Sequence, residues 1–382
     1  MRKRFMKIGG CAAMLVAASM AASPPDNPPV QQSNNQTLQR SNDQTTKRSN
    51  DQTTKRSNDQ TTKRSNDQTT KRPNDQTTKR SNDQTTKRLN DQTIKRSNDQ
   101  MIKRSNVILI GVDGFGARWI PWNEMPNLSA LRDEGMFAVA RCHRITASAI
   151  NWKSVFSGLP PEIHGFNKWN STRPDIAPHP SALDDSGATP DLFAEIRRQW
   201  PEARTASLYT WGGLGYCHAT NAASVARHFG GSGDAYAGRD AAVFDEGLRL
   251  LRHAPDFMLL YQGQVDHAGH DFGWGSPEFT NACRNVDANI GRLVDGLKQT
   301  GLWDDTAIVL VADHGGLDKG HGGKEDVRVF DVPLLLSGGA ARGLAIREPA
   351  MLMDVAPTIL SLLGLEPHPA MRGRPAVVPA AP

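Results

Sequence analysis

From about residue 106 onward, apolar stretches of strand length alternate with amphipathic stretches of helix length. The runs N-V-I-L-I-G-V (106–112), F-M-L-L-Y (257–261) and A-I-V-L-V-A (307–312) are almost continuously apolar, the pattern of strands covered on both faces. Shorter runs predict further strands at Phe137–Ala140, Ala206–Thr210 and Val332–Leu336. Helices are predicted near Asn127–Glu134, over Asp240–Arg252 and after a cap at Asp354; Thr189, as a cap before Pro190, opens another that runs to about Gln199. The plainest helix opens at Ser276-Pro277-Glu278, where Phe279, Cys283, Val286, Ile290, Leu293 and Leu297 recur at steps of three and four and mark one buried face. Such alternation predicts an α/β domain over 106–382, a mostly parallel sheet covered on both sides.

Ahead of that domain the pattern changes twice. Arg2, Lys3, Arg4 and Lys7 precede an apolar stretch from Ile8 to Ala22, and Ser19-Met20-Ala21 offers a cleavage site, so residues 1–22 read as a secretory signal peptide. The run is short for a transmembrane anchor, and little of it precedes Cys11, which argues against lipidation there. Residues 23–105 form a linker in which R-S-N-D-Q-T-T-K recurs eight times from Arg40 to Lys103. An octad almost without apolar residues cannot offset the entropy of ordering, so disorder is expected. The near identity of the copies favours replicated coding sequence without a selected role over a spacer or a polar binding tail.

Charge is divided in the same way. Residues 1–104 carry a net +12 and the total is +5, which leaves −7 on 105–382. An acidic domain is a poor partner for a nucleic-acid duplex or an anionic membrane surface. Cys142, Cys217 and Cys283 remain after export, an odd number without C-x-x-C spacing, and are expected as buried small hydrophobes.

The chemistry sits where apolar runs end. Asp113 closes the first run; Asp266 and His270 follow the 257 run in V-D-H-A-G-H; Asp313 and His314 follow the 307 run in A-D-H-G-G, and His321 stands in G-H-G-G. Carboxylates and imidazoles at the carboxyl ends of strands are ligands for zinc-like divalent ions, and two such ions can clamp the attacking and leaving oxygens of a phosphoryl group. A hydroxyl bound to a cation ionises near neutral pH, so a serine or threonine can serve as nucleophile without a histidine base. Thr146, Ser148, Ser154 and Ser157 are all candidates on composition alone.

V-D-G-F-G, S-A-I-N-W-K-S-V-F-S-G-L-P-P-E-I-H-G, D-H-A-G-H, A-D-H-G-G and G-H-G-G, in that order, resemble the alkaline-phosphatase superfamily. Within it they are most similar to the nucleotide pyrophosphatase/phosphodiesterase branch, whose nucleophile segment reads T-F-P-N and then T-G-L-Y-P-E-S-H-G. The resemblance spans nearly all of 106–382 and implies a three-layer αβα alkaline-phosphatase-like fold. It implies one ion held by Asp113, Asp313, His314 and the nucleophile Ser148, and a second held by Asp266, His270 and His321. Those ions would be zinc, with manganese also suited to the donors. Asn167 would contact phosphate, with Asn170 as rival because the spacing after H-G is shorter by two; Asn151 falls on the asparagine of T-F-P-N. Trp169, Trp211, Tyr216 and Tyr236 could stack on a flat substrate group. The implied activity is an exported phosphodiesterase or nucleotide pyrophosphatase acting on a small phosphoester such as a nucleotide through a phosphoseryl intermediate. Phosphomonoesterase, phosphotransferase and non-catalytic binding protein are the alternatives. Only six residues separate His314 from His321, where the branch carries a long insert, and no C-x-P-x-R exists for a sulfatase nucleophile. His164, His179, His218, His267 and His368 are expected outside the metal sites.

Overall fold

The computed structural model describes residues 104–184, 186–231 and 236–380. The signal-peptide and repeat readings lie outside the described residues.

Seven strands form one sheet in the order β2-β7-β6-β1-β5-β3-β4. Their ranges are β1 Asn106–Val112, β2 Met136–Arg141, β3 Thr205–Tyr209, β4 Val225–His228, β5 Phe257–Gln262, β6 Thr306–Val311 and β7 Asp331–Ser337. β1 pairs in parallel with β5 and β6, and β3 pairs in parallel with β4 and β5, whereas β7 runs antiparallel to both its neighbours. The centre is apolar because it is covered twice: β3, β5 and β6 are buried throughout. At the margin β4 is exposed along its length, and its polar V-A-R-H shows no apolar run for a sequence reading to find.

The longer helices are α1 Pro126–Glu134, α2 Ser148–Ser157, α3 Leu192–Gln199, α4 Tyr236–Leu251, α5 Gln264–Phe272, α6 Pro277–Gln299 and α7 Val355–Leu362. α6 packs against α1, α4 and α5, while α2, α3 and α7 pack on one another, so two helical layers enclose the sheet. The predicted face of α6 is buried at every named position, from Phe279 to Leu297, and its Ser276 cap accepts from the Phe279 N–H at 3.1 Å.

Two caps differ from expectation. α3 starts at Leu192, and Asp191 caps it by accepting from the N–H groups of Phe193 (3.0 Å) and Ala194 (3.3 Å); a carboxylate reaches both donors where the Thr189 hydroxyl does not. Asp354 precedes α7 but bonds elsewhere, accepting from the N–H groups of Met351 (3.0 Å) and Arg374 (2.9 Å), so it ties the C-terminal segment down. Cys142, Cys217 and Cys283 are buried free thiols, as their spacing predicts.

Candidate metal centre and nucleophile

Strand order assembles the site. β6, β1 and β5 are neighbours at the middle of the sheet, and each delivers an aspartate at its carboxyl end: Asp313, Asp113 and Asp266. Asp266 reaches the site on the helix that follows its strand. β5 stops at Gln262, and α5 begins at Gln264, so Asp266 and His270 stand four apart on one helical face. Buried Asp240 secures that start, accepting from the N–H groups of Gly263 (3.0 Å) and Gln264 (2.9 Å). Gly114 lets the strands' ends converge: its φ is +68°, and a Cβ there would lie 2.7 Å from the Cα of Asp266.

Two groups of potential ligands result. Asp113, Asp313 and His314 are all buried and present donor atoms within 4.8 Å of one another; Asp266, His270 and His321 do likewise nearby. His314 Nε2 is 3.2 Å from Asp313 Oδ2 and 3.8 Å from Asp113 Oδ1, and His270 Nε2 is 3.5 Å from Asp266 Oδ2. The rings of His314 and His321 stack at 3.7 Å between centroids, which places the groups side by side.

The surroundings aim each ligand. His314 turns Nδ1 to the carbonyl of Gly315 at 3.0 Å, His270 to that of Lys319 at 3.1 Å, and His321 to that of Thr146. A ring hydrogen on Nδ1 in each case leaves Nε2 as a lone-pair donor toward the centre. Asp113 Oδ2 accepts from the indole of Trp152 at 3.0 Å and from the hydroxyl of Tyr261, while Asp313 Oδ1 accepts from the Gly114 N–H at 3.1 Å. Trp152 lies inside the quoted S-A-I-N-W-K segment and Tyr261 inside an apolar run, and nothing in the sequence marks either as a partner of Asp113.

The remaining carboxylate oxygens test whether cations fit. Asp113 Oδ1, Asp266 Oδ1 and Asp313 Oδ2 are buried without a hydrogen-bond partner, a costly arrangement for three acceptors brought together from three separate segments of the chain. His270 Nε2 and His321 Nε2 face each other at 3.1 Å, two lone pairs without a donor between them. Burial, and then the charge of Asp113, push the carboxyls of Asp266 and Asp313 well above the ordinary range. Burial holds His314 and His321 down to about 3, in the neutral form that binds metal. Six oxygen and nitrogen donors so arranged suit divalent cations of the zinc or manganese type.

Ser148 is the first residue of α2, and its Oγ lies 3.3 Å from His314 Nε2. The other hydroxyl candidates are engaged elsewhere: Thr146 Oγ1 donates to the His321 carbonyl at 2.6 Å, and Ser154 and Ser157 are buried farther along α2. A cavity of about 750 Å³ opens over Ser148, lined among others by Asn167, Lys168, Trp169, Trp211, Tyr236 and His267. Of the expected substrate contacts, Asn167, Trp169 and Trp211 line it. Asn151, Asn170 and Tyr216 do not. Asn151 stands one turn up α2, wholly buried, with Oδ1 accepting from the His143 N–H at 3.3 Å; Asn170 and Tyr216 face solvent. Tyr236, at the head of α4 and also named from the sequence as a stacking candidate, lines the cavity.

Comparison with known proteins agrees with this geometry. The family described as type I phosphodiesterase / nucleotide pyrophosphatase matches residues 107–322, which span all six potential ligands and Ser148. A 2,3-bisphosphoglycerate-independent phosphoglycerate mutase of Chloroflexus aurantiacus is 35% identical over 132 residues, 32% of this chain and 23% of the relative. Venom phosphodiesterase 2 of Crotalus adamanteus is 28% identical over 217 residues, 55% of this chain and 26% of the relative. The chain thus spans about a quarter of the length of these relatives. A solved structure of an alkaline phosphatase superfamily protein from Vibrio parahaemolyticus superimposes with a TM-score of 0.50 at 18% identity, covering 71% of this chain and 69% of that one, and shares the fold. A phosphodiesterase-type core on a mostly parallel sheet is therefore what these residues build, and the chain belongs to the type I phosphodiesterase / nucleotide pyrophosphatase family.

Proposed function

We propose that the protein is a metal-dependent phosphoesterase that cleaves phosphodiester or pyrophosphate bonds with Ser148 as nucleophile. The observation that carries this reading is the 3.3 Å approach of Ser148 Oγ to His314 Nε2 beside two sets of convergent Asp and His donors. Asp113, Asp313 and His314 would hold one divalent cation with Ser148, and Asp266, His270 and His321 a second. When bound, such ions lower the pKa of the serine hydroxyl and neutralise charge on the leaving oxygen.

The chain's own residues do the remainder. Ser148 Oγ attacks phosphorus in line and becomes phosphorylated as the leaving alkoxide departs; water then attacks the phosphoserine from the opposite side and regenerates the hydroxyl. Asn167 donates from its side-chain amide to a non-bridging oxygen, a contact worth about 3 kcal/mol in the transition state. Trp169, Trp211 and Tyr236 surround the leaving group and exclude water on that side.

Export to the periplasm or the extracellular space follows from the leader, with a small phosphoester such as a nucleotide as substrate. No helix among the described residues is long and apolar enough to cross a membrane. The repeats act at most as a spacer, so removing residues 24–104 leaves turnover unchanged.

The test is a substrate ranking with zinc-loaded protein. Faster cleavage of bis-p-nitrophenyl phosphate and of the thymidine monophosphate p-nitrophenyl ester than of p-nitrophenyl phosphate is expected. The reverse ranking replaces the proposal with a phosphomonoesterase, acceptor-dependent turnover with a phosphotransferase, and absence of turnover with a binding protein.

A further inference from the structure

The loop from Gly165 to Ile176 presents Asn167, Lys168 and Trp169 to the cavity in succession, yet no helix or strand supports it. Its neck is closed by the Gly165 carbonyl, which accepts from the N–H groups of Asp175 (2.9 Å) and Ile176 (3.0 Å). Gly165 is required there, because its φ is +80° and a Cβ would lie 2.1 Å from the Ile176 oxygen. One further backbone bond docks the loop on the nucleophile's helix: the Ala149 N–H donates to the Trp169 carbonyl at 3.2 Å.

The interior of the loop converges on one carboxylate. Asp175 Oδ2 accepts from the Asn167 N–H at 2.9 Å and from the Ser171 hydroxyl. Its Oδ1 is 3.2 Å from Lys168 Nζ. Ser171 is itself buried and accepts from the Lys168 N–H at 3.0 Å, which extends the hold to the next residue. Together these contacts hold Asn167 and Lys168, the two cavity residues nearest the loop's entry. Nothing else hydrogen-bonded within the loop grips the Asn167 backbone.

We propose that Asp175 is a positioning residue for phosphoryl transfer at Ser148, acting by holding the Asn167 main chain so that its side-chain amide meets the phosphate oxygen. The inference rests on the phosphoesterase reading and adds to it the device that orients the phosphate contact. Preorganised donors are effective only when held to within about 0.5 Å, and a loop residue needs such an anchor. The hydrogen bonds from Ser171 and from the Asn167 N–H hold the Asp175 carboxyl down to about 2, so the acceptor stays ionised wherever the enzyme works.

The test is a double-mutant cycle in the zinc-loaded full chain. Asp175→Asn is expected to lower kcat on bis-p-nitrophenyl phosphate about 10- to 100-fold with little change in KM, as is Asn167→Ala, because the lost contact strengthens in the transition state. The double variant should be no worse than the poorer single variant within about twofold, and Asp175→Glu should restore most of the rate. The same cycle is read by calorimetric binding of orthovanadate, a phosphoryl analogue that needs no turnover. Non-additive weakening there supports the positioning role even if the wild type fails to hydrolyse any phosphoester, an outcome that would sink the phosphoesterase reading alone. Losses that multiply in the double variant, or an Asp175→Asn enzyme within about twofold of wild type in both readouts, overturn the inference.

Discussion

Thr146 and His321 hold each other twice. The Thr146 hydroxyl donates to the His321 carbonyl at 2.6 Å, and His321 Nδ1 faces the Thr146 carbonyl. Thr146 lies two residues before the nucleophile and His321 belongs to the second ligand group, so this exchange couples the serine to the histidine it must work beside. Thr146→Val removes the hydroxyl bond and keeps the shape. The expected result is roughly 10-fold weaker zinc binding at the group containing His321, with a comparable fall in kcat/KM. Competition with a chromophoric chelator, read beside initial rates, measures both; unchanged affinity would show the pair to be dispensable.

Asp113 depends on two donors whose role no motif announces. The indole of Trp152 and the hydroxyl of Tyr261 share its Oδ2, which turns Oδ1 toward His314. Tyr261→Phe should weaken metal binding about 10-fold and reduce turnover while leaving the fold intact, since the ring keeps its edge contact with Trp152 at 5.2 Å. Metal content after dialysis against limiting zinc is the direct readout, and full retention of zinc contradicts the argument.

Chelation and removal of the nucleophile should have separable effects. Ser148→Ala is expected to reduce turnover by at least about 1,000-fold with both metal ions retained, whereas exhaustive chelation abolishes turnover reversibly and lowers the melting temperature. Loss of stability on chelation follows from the buried oxygens of Asp113, Asp266 and Asp313, which have no hydrogen-bond partners. Full turnover by chelated protein would exclude the two-ion mechanism.

His218 makes a pH prediction of definite sign. Its ring is buried between Phe156 and Phe193, bonds Ser207 Oγ at 2.8 Å and Leu214 O at 3.0 Å, and is held by burial down to about 3. The unfolded chain protonates its histidines near 6.5, so between about 6.5 and 3 it binds a proton that the folded state refuses, and stability falls as pH falls. At pH 5 the loss is on the order of 2 kcal/mol for this group. His218→Gln should flatten the decline of urea midpoint between pH 7 and pH 5 relative to wild type; parallel curves would refute it.

Much of the molecule was readable from residue order. The strands ending at Asp113 and Asp313 and the buried face of α6 came from apolar runs and a 3.6-residue period, which are local consequences of burial. All six residues of the two ligand groups stood in short motifs, but their division into two groups joins segments about 50 to 200 residues apart and was implied only by the family resemblance. Exposed β4 was not legible, since a marginal strand needs no apolar run, and the short α5 was not read as a helix because it follows β5 almost at once.

What residue order could not supply is contact between segments far apart in the chain. It could not say that Trp152 and Tyr261 orient Asp113, that Asp240 anchors α5, that Asn151 turns away from the cavity, or that of the two tyrosine candidates Tyr236 lines the wall and Tyr216 does not. Side-chain direction and long-range pairing are set by how the helical layers close on the sheet, and that closure is a property of the whole core. The chemistry of the ligands was thus determined locally by the sequence, whereas their aim, and the identity of the residues that aim them, was decided by the tertiary structure.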